Sequence, residues 1–296
     1  MPGIFIFQIQ YSKSVPLDPG FLVLDNLANE RPDWFEYWPI RKFLLGEALH
    51  DESFYGFLSP RFKAKTNLGA EATYEFVARE SADADAVVLS PGLKLGAYFQ
   101  NVFTFGEWAH PGLLDVTKQF IRRIDPSADL DTWVTTSRNE VYCNYLIAKP
   151  RFWRAWLAIT EQLFAIAESP TDPLGAQLRA TTLYREGLNP HMKIFIMERL
   201  ATWVLANNPE FVVKTRDPFV TCSRAYKLPG AILCDALKIA YLTTNHRQVY
   251  LDLFRLISSI RKPLGWQIRF ANFLRFEAVR DYLMTLSSKW TNAEQR

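Results

Sequence analysis

The sequence predicts an α/β fold in which a mostly parallel sheet is flanked by helices and followed by a helical C-terminal part. Two observations lead to this prediction. Short β-branched and aromatic runs alternate with helical patterns through residues 1–205, as in strand–helix–strand units. Residues 206–296 carry helical patterns almost throughout. We therefore predict one α/β domain with a helical extension packed on it.

The strand prediction depends on apolar runs that are bounded by Pro, Gly, Asn or Asp. The runs are four to seven residues long and rich in Ile, Val, Phe and Tyr, as buried strands are. The predicted strands are residues 4–9, 21–24, 54–58, 86–89 and 142–148, with a short sixth strand at 211–213.

The helix prediction depends on apolar residues that recur at helical spacing. The first helix starts near Pro39, and a strongly aromatic helix follows residue 148. The other predicted helices are residues 70–80, 96–106, 112–124, 191–206, 231–244, 247–260 and 266–286.

Composition limits the classes of function. The chain has 34 basic and 31 acidic residues, a balance that argues against a nucleic-acid partner. Its three cysteines are scattered without paired spacing, which fits a reducing compartment. The N-terminus does not look like a signal peptide, and no apolar run reaches about 18 residues. We therefore expect a cytoplasmic protein. The aromatic content of 15% indicates either an aromatic core, which is favoured, or ring platforms in a groove.

Polar residues follow four of the predicted strands. Ligands of open parallel sheets bind beyond the carboxyl ends of the strands, so these residues are expected at one ligand-binding edge. They are Gln8 to Tyr11, Asp25, Asn26, Ser59-Pro60 and Ser90-Pro91, of which Gln8, Tyr11, Asp25, Asn26 and Ser59 are candidate substrate-binding residues.

Asp83-Ala84-Asp85 has the form of an Asp-X-Asp metal motif but precedes its strand instead of following it. It is therefore expected at the opposite edge of the sheet, as a solvated turn, and no metal site is assigned to it. Glycine-rich phosphate loops, Gly-X-Ser-X-Gly and His-Glu-X-X-His are all missing from the sequence. Hydrolases with a nucleophile elbow and zinc proteases are thereby disfavoured.

Two charged segments could bind phosphate. Residues 30–41 combine three carboxylates, two arginines including Arg41, and four aromatic rings. They could hold a diphosphate and a base, or form an ion-paired cap on the next helix. Arg61, Lys63 and Lys65 form a second cationic cluster, which is either a phosphate site or a solvated loop.

The turn at 106–112 contains Glu107, Trp108 and His110. A carboxylate and an imidazole beside an indole ring could serve as a general base and an acceptor platform. The alternative is a loop in which His110 simply caps the following helix.

The block Cys143-Asn144-Tyr145 to Leu157 combines an Asn-containing turn, a short strand and an aromatic helix, and Met197-Glu198-Arg199-Leu200 follows on a later helix. Both blocks resemble segments of bacterial polysaccharide glycosyltransferases of the GT-A type, which make capsule or O-antigen chains. Residues 37–41 and 54–57 resemble the N-terminal half of that group. The resemblance implies a Rossmann-like, GT-A-like sheet, with Asn144 contacting the sugar and Glu198 as a buried or catalytic carboxylate.

The resemblance further implies a hexosyltransferase that moves a sugar from a nucleotide-sugar donor to a bacterial surface polysaccharide or a lipid-linked precursor. Asp25 and Arg41 would contact the nucleotide, the Arg61–Lys65 cluster the diphosphate, and Glu107, His110 or Glu198 would act as the catalytic group. A divalent cation, Mn²⁺ or Mg²⁺, stays open as a cofactor. The alternative is a non-catalytic carbohydrate-binding or scaffold protein of the same pathway.

The basic and aromatic stretch 255–280 has two interpretations. It could contact an anionic inner membrane peripherally, which would bring the site to a lipid-linked acceptor, or it could pack on the domain.

Overall fold

The computed structural model describes residues 3–91, 96–182, 189–217, 228–244 and 247–261. Within these ranges the strands are β1 Ile4–Gln10, β2 Leu22–Asp25, β3 Phe54–Leu58, β4 Ala86–Val88, β5 Leu146–Ala148 and β6 Val213–Thr215. The helices are α1 Tyr37–Gly46, α2 Phe62–Thr66, α3 Ala70–Glu80, α4 Val102–Ala109, α5 Leu113–Ile124, α6 Pro150–Glu168, α7 Pro173–Arg179, α8 Met192–Met197, α9 Leu200–Asn207, α10 Leu228–Thr243 and α11 Arg247–Arg261.

The strands form a mixed sheet in the order β2-β1-β3-β5-β4-β6. β1 pairs in parallel with β2 and β3, and β4 pairs in parallel with β6. β5 lies between β3 and β4 and runs antiparallel to both. The prediction of an α/β protein with a mostly parallel sheet is thus confirmed, with one central strand reversed.

The sheet is covered on both faces, as its apolar strands require. All five residues of β3 are buried; Phe57 packs into the core beneath α6, α8 and α9, whereas Phe54 and Leu58 pack into the core beneath α3. A Cβ atom on Gly56 would lie 2.6 Å from Cγ1 of Ile147 on β5. Glycine at this position therefore allows β3 and β5 to approach each other.

Several predicted elements differ in their bounds, and the sixth strand lies at 213–215 instead of 211–213. The helix expected at 96–106 becomes a 3₁₀ turn at 96–98 followed by α4, because the Asn101 side chain accepts hydrogen bonds from the backbone N–H groups of Phe103 and Thr104 and caps α4. The helix expected at 191–206 is divided into α8 and α9 around Glu198 and Arg199. The strand expected at 142–148 begins only at Leu146.

The helices α10 and α11 pack against the segment around the 3₁₀ turn at 96–98. A small apolar core there includes Phe99, Cys234 and Phe254. Beside it, the fully buried ammonium of Lys238 lies 3.3 Å from Oε1 of the equally buried Glu140. The helix predicted at 266–286, and the stretch 255–280 beyond residue 261, lie outside the described residues. In the part of the chain that is described, no helix has the length and apolar character needed to span a membrane.

Candidate functional site

The carboxyl ends of β1, β2, β3 and β4 all lie at the same edge of the sheet, since these four strands run in the same direction. This places the residues that follow these strands together, as the sequence predicted. Asp83 and Asp85 lie at the opposite edge, before β4. There Asp85 pairs with Arg151 and accepts a hydrogen bond of 2.8 Å from the backbone N–H of Val212.

The reversed strand β5 adds a further residue to the ligand-binding edge. Because β5 runs against its neighbours, the residues that precede it lie at the edge where the other strands end. Asn144 therefore reaches this edge from the start of a strand. A purely parallel sheet would have placed it at the opposite edge.

A cavity of about 340 Å³ lies at this edge, between the ends of β1 and β3, the loop before α1, α2 and α8. A smaller adjoining cavity shares its inner wall and extends to Asn144 and Met197. The polar and aromatic groups that line the larger cavity include Tyr11, Phe35, Glu36, Arg61, Lys65 and Glu198.

Two half-buried carboxylates, Glu36 and Glu198, line both cavities. Within the described residues neither carboxylate belongs to an ion pair. Burial, and next the charge of Glu36, raise the pKa of Glu198 to about 7, against the effect of Arg199 and Lys65. Burial also raises the pKa of Glu36, and the charge of Lys65 opposes that shift. A carboxyl group with a pKa near neutrality can both take up and release a proton in this site.

Lys65 supplies positive charge in the cavity. Its ammonium donates a hydrogen bond of 3.1 Å to Sγ of Cys143 and lies 5.5 Å from the centre of the Tyr145 ring. The Tyr145 hydroxyl is in turn 2.6 Å from Oγ of Ser59, which also lines the cavity. These contacts fix the lysine side chain beside the carboxylates, whereas the exposed Arg61 marks the cavity rim.

Two buried polar atoms at the site have no hydrogen-bond partner among the described residues. They are the hydroxyl of Tyr11 and Oδ1 of Asn144, and Asn144 as a whole is only 3% exposed. Buried polar atoms without partners are uncommon in folded proteins, because leaving them unpaired costs free energy. Both atoms therefore have unused hydrogen-bonding capacity.

Strained backbone conformations concentrate around the same cavities. Phe35, Cys143 and Asn144 have positive φ angles of 47°, 59° and 53°. Phenylalanine and cysteine seldom adopt such angles, and strained residues of this kind cluster at functional sites. The consecutive left-handed residues 143 and 144 explain why β5 begins only at Leu146. The Phe35 ring is 42% exposed and lines the cavity.

A buried cation holds the two carboxylate-bearing segments together. The ammonium of Lys193, on α8, lies 2.6 Å from Oδ2 of Asp33 and 3.9 Å from the centre of the Trp34 ring. This contact fixes the loop that carries Glu36 against the helix that ends at Glu198. The two carboxylates therefore face one cavity although 162 positions separate them in the sequence.

Three predicted substrate-binding residues make local hydrogen bonds at this edge. The Gln8 side chain donates to the carbonyl oxygen of Ser59 at 3.3 Å and accepts from the N–H of Asp18 at 2.8 Å. Asp25 accepts from the N–H of Leu27, and Asn26 contacts Asn29. These residues shape the edge, but they do not line the cavity.

The arginines of the 30–41 segment are engaged in ion pairs. Arg41 makes two hydrogen bonds to Glu161 on α6, of 2.6 and 2.7 Å. Arg31 likewise pairs with Asp33 and Glu168. Both arginines therefore fit the alternative of an ion-paired cap. Among the charged residues of the segment 30–41, Glu36 lines the cavity. Lys63 is exposed on α2 and does not line the cavity either.

Glu107 and His110, at the end of α4, do not line the cavity. The Glu107 carboxylate accepts hydrogen bonds of 3.0 and 2.8 Å from the backbone N–H groups of Gly112 and Leu114. Glu107, and not His110, is therefore the residue that caps α5. The buried His110 ring stacks on Phe195, with 3.5 Å between ring centres.

Sequence reasoning missed Glu36, Phe35 and Cys143 as residues of this site. Glu36 was one of three carboxylates in the segment 30–41. The structure shows that the other two, Glu30 and Asp33, form ion pairs. Asn144 gave the available signal for the left-handed turn, because asparagine is enriched in that conformation. Nothing in the sequence distinguished Phe35 or Cys143 from core residues.

The described residues contain no group of three or more His, Cys, Asp or Glu side chains suited to a metal ion. No protein-family model, curated protein or solved structure matches the chain. Fold and site geometry are thus the grounds on which a function can be proposed.

Proposed function

We propose that this protein is a glycosyltransferase with a GT-A-like, Rossmann-like domain, which moves a sugar from a nucleotide-sugar donor to a saccharide or lipid-linked acceptor. One observation carries the proposal. A cavity at the carboxyl ends of the strands combines two half-buried carboxylates, Glu36 and Glu198, with the cations Arg61 and Lys65 and the exposed ring of Phe35.

The donor would bind with its diphosphate at the cationic side of the cavity. Lys65 is anchored by Cys143, and Arg61 at the rim can hold phosphate oxygens through two parallel hydrogen bonds. Together they would offset much of the charge of the diphosphate.

The sugar would occupy the inner side of the cavity. Its hydroxyl groups would donate hydrogen bonds to Oδ1 of Asn144 and pair with the hydroxyl of Tyr11, the two buried atoms that lack partners among the described residues. The apolar face of the sugar ring would stack on Phe35. Phosphate and sugar would thus each meet groups of complementary chemistry.

Glu198 is the proposed general base. It would accept the proton of the acceptor hydroxyl as that oxygen bonds to the anomeric carbon, while the bond between that carbon and the diphosphate oxygen breaks. The nucleoside diphosphate leaves with the bonding electron pair, and the charges of Lys65 and Arg61 stabilise it. A pKa near 7 suits a group that must be partly ionised at neutral pH.

Thermal denaturation with UDP-, GDP-, CMP- and dTDP-sugars tests the binding step. At 100 times its dissociation constant, the correct donor stabilises the protein by about 2.7 kcal/mol. Lys65→Met should abolish most of this stabilisation. Lys63→Met is the matched control, because Lys63 lies two residues away on the same helix with its side chain in solvent. Equal effects of the two substitutions, or no response to any nucleotide, would contradict the proposal.

Donor hydrolysis and transfer, measured with and without Mn²⁺ or Mg²⁺, test turnover. Glu198→Gln should lower the rate at least about a hundredfold, with donor binding retained. Glu75→Gln, on the exposed face of α3, is the control. Donor binding without any turnover by the unaltered protein would favour the non-catalytic carbohydrate-binding alternative instead.

A further inference from the structure

Glu36 had no role in the reaction proposed above, although it lines the same cavities as Glu198. We propose that Glu36 and Glu198 form a carboxyl–carboxylate pair that shares one proton at neutral pH, and that Glu36 is a positioning residue that sets the protonation of Glu198. The chemical role of the pair in sugar transfer rests on the proposed function. The pair itself can be tested without any substrate.

The inner part of the wall around the two carboxylates is apolar. Trp34 is fully buried, and Ile194 and Met197 are 5% and 2% exposed. Such a wall excludes water, and a carboxylate that loses water without gaining a direct cation is costly. One shared proton removes one of the two negative charges from the enclosed site.

Besides Arg61 at the cavity rim, two cations act on the pair from a distance. Neither Lys65, on α2, nor Arg199, between α8 and α9, lies within ion-pair distance of a carboxylate in the described part of the chain. Lys65 donates to Cys143, and Arg199 donates to the carbonyl oxygens of Val102 and Phe195, at 3.0 and 2.6 Å. Both cations are held by other groups, so they lessen the repulsion between the carboxylates without pairing with them.

The other titratable groups around the pair are neutral at pH 7. Burial raises the pKa of the Cys143 thiol to about 11, and it raises the pKa of the hydroxyls of Tyr11 and Tyr145 above their usual range. Burial raises the pKa of Tyr37 as well, and its hydroxyl donates to Glu161 at 2.6 Å. The neutral groups leave Glu36 and Glu198 as the pair that exchanges a proton near neutrality.

The loop clamp gives the pair a fixed geometry. Lys193 binds Asp33 and Trp34, and Glu36 follows two residues after Trp34 at the start of α1. Glu198 is the C-cap residue of α8, the helix on which Lys193 lies. This buried contact keeps the segments that carry the two carboxylates on the walls of the same cavities.

The test is a pH titration of the full chain labelled with ¹³C at the glutamate carboxyl carbons, followed by NMR. Signals of the pair are assigned from their loss in Glu36→Gln and in Glu198→Gln. We expect Glu198 to titrate near pH 7 and its midpoint to fall by about one pH unit or more in Glu36→Gln, because the neighbouring charge is gone. Glu36→Asp, which keeps the charge, should retain the high midpoint.

Lys65→Met gives a second, independent measurement should Glu36→Gln fold poorly. Removal of this cation should raise the midpoint of Glu198. The proposal is overturned if Glu198 titrates below about pH 5, or if its midpoint is unchanged in both Glu36→Gln and Lys65→Met. Because no sugar is present, a positive titration alongside a negative nucleotide screen would refute sugar transfer and leave the pair intact.

Discussion

Glu198 links the chemistry of the cavity to the stability of the fold. Its carboxyl group is protonated more readily in the folded protein, with a pKa of about 7, than in an unfolded chain, where the value is about 4.5. Between these two values the folded state binds more protons than the unfolded state. Stability is therefore greatest on the acidic side of this window and is lost as the pH rises through it.

This linkage predicts the behaviour of Glu198→Gln. The free energy of unfolding of the unaltered protein should fall by roughly 1–3 kcal/mol between about pH 5 and pH 8, and the substitution should remove most of that fall. Urea denaturation at a series of pH values measures it. In Glu75→Gln the free energy of unfolding should fall with pH as it does in the unaltered protein. The same fall in Glu198→Gln would show that another group causes the pH dependence.

Among the structural elements, the loop before α1 and helix α8 depend on each other through Lys193. The lysine is 1% exposed, and it connects the helix to the loop through its contacts with Asp33 and Trp34. Hydrogen bonds from Arg31 and Lys193 outweigh burial and lower the pKa of Asp33 to about 2. Since this folded value is depressed, the stabilisation is present above about pH 4 and is lost as the pH falls toward 2.

Lys193→Met should lower the free energy of unfolding by about 1–3 kcal/mol, because it removes a charge-assisted hydrogen bond from Asp33, whose carboxylate keeps its pair with Arg31. It should also lower the midpoint of Glu198 in the NMR titration, since Glu36 is no longer held nearby. Chemical denaturation and the same titration measure the two effects. Lys42→Met is the control: its pair with Glu30 is about half exposed on both sides and should contribute little.

For the molecule as a whole, the two edges of the sheet are predicted to have separate roles. Asp85, just before β4, pairs with Arg151 of α6 and with the backbone of Val212. It lies at the edge of the sheet opposite to the one that carries the cavity. Asp85→Asn should therefore lower the free energy of unfolding by about 1–3 kcal/mol and leave nucleotide affinity unchanged. Denaturation and ligand titration measure the two effects, and a large loss of affinity would place the ligand at the opposite edge.

Much of the architecture could be predicted because it follows from local patterns. Helix α3 occupies residues 70–80 and strand β3 residues 54–58, as their apolar spacing predicted. The common edge of the polar residues after β1, β2, β3 and β4 was also predicted, because an alternation of strands and helices favours a parallel sheet. These elements needed no information from distant parts of the chain.

The site itself depended on contacts that periodicity does not encode. The reversal of β5 comes from its pairing with β3 and β4, whose residues are far away in sequence. The loop around Glu36 offered several charges of similar appearance, and only the long-range contacts of Arg41 and Lys193 show which of them are paired. Glu107 was predicted as a catalytic candidate from a motif whose carboxylate caps a helix.

The position of β5 also governs when the sheet can be completed during synthesis. β3 and β4 do not pair with each other, so the first half of the sheet and the strand β4 stay separate until residues 146–148 have left the ribosome. Until then Tyr55 and Val87 present unpaired backbone to the surroundings, and β6 must follow later still. Joining strands so distant in sequence is slow, and exposed strand edges favour aggregation. We therefore expect the nascent chain to be most prone to aggregation between the synthesis of β4 and that of β5, the interval in which a chaperone would have most effect.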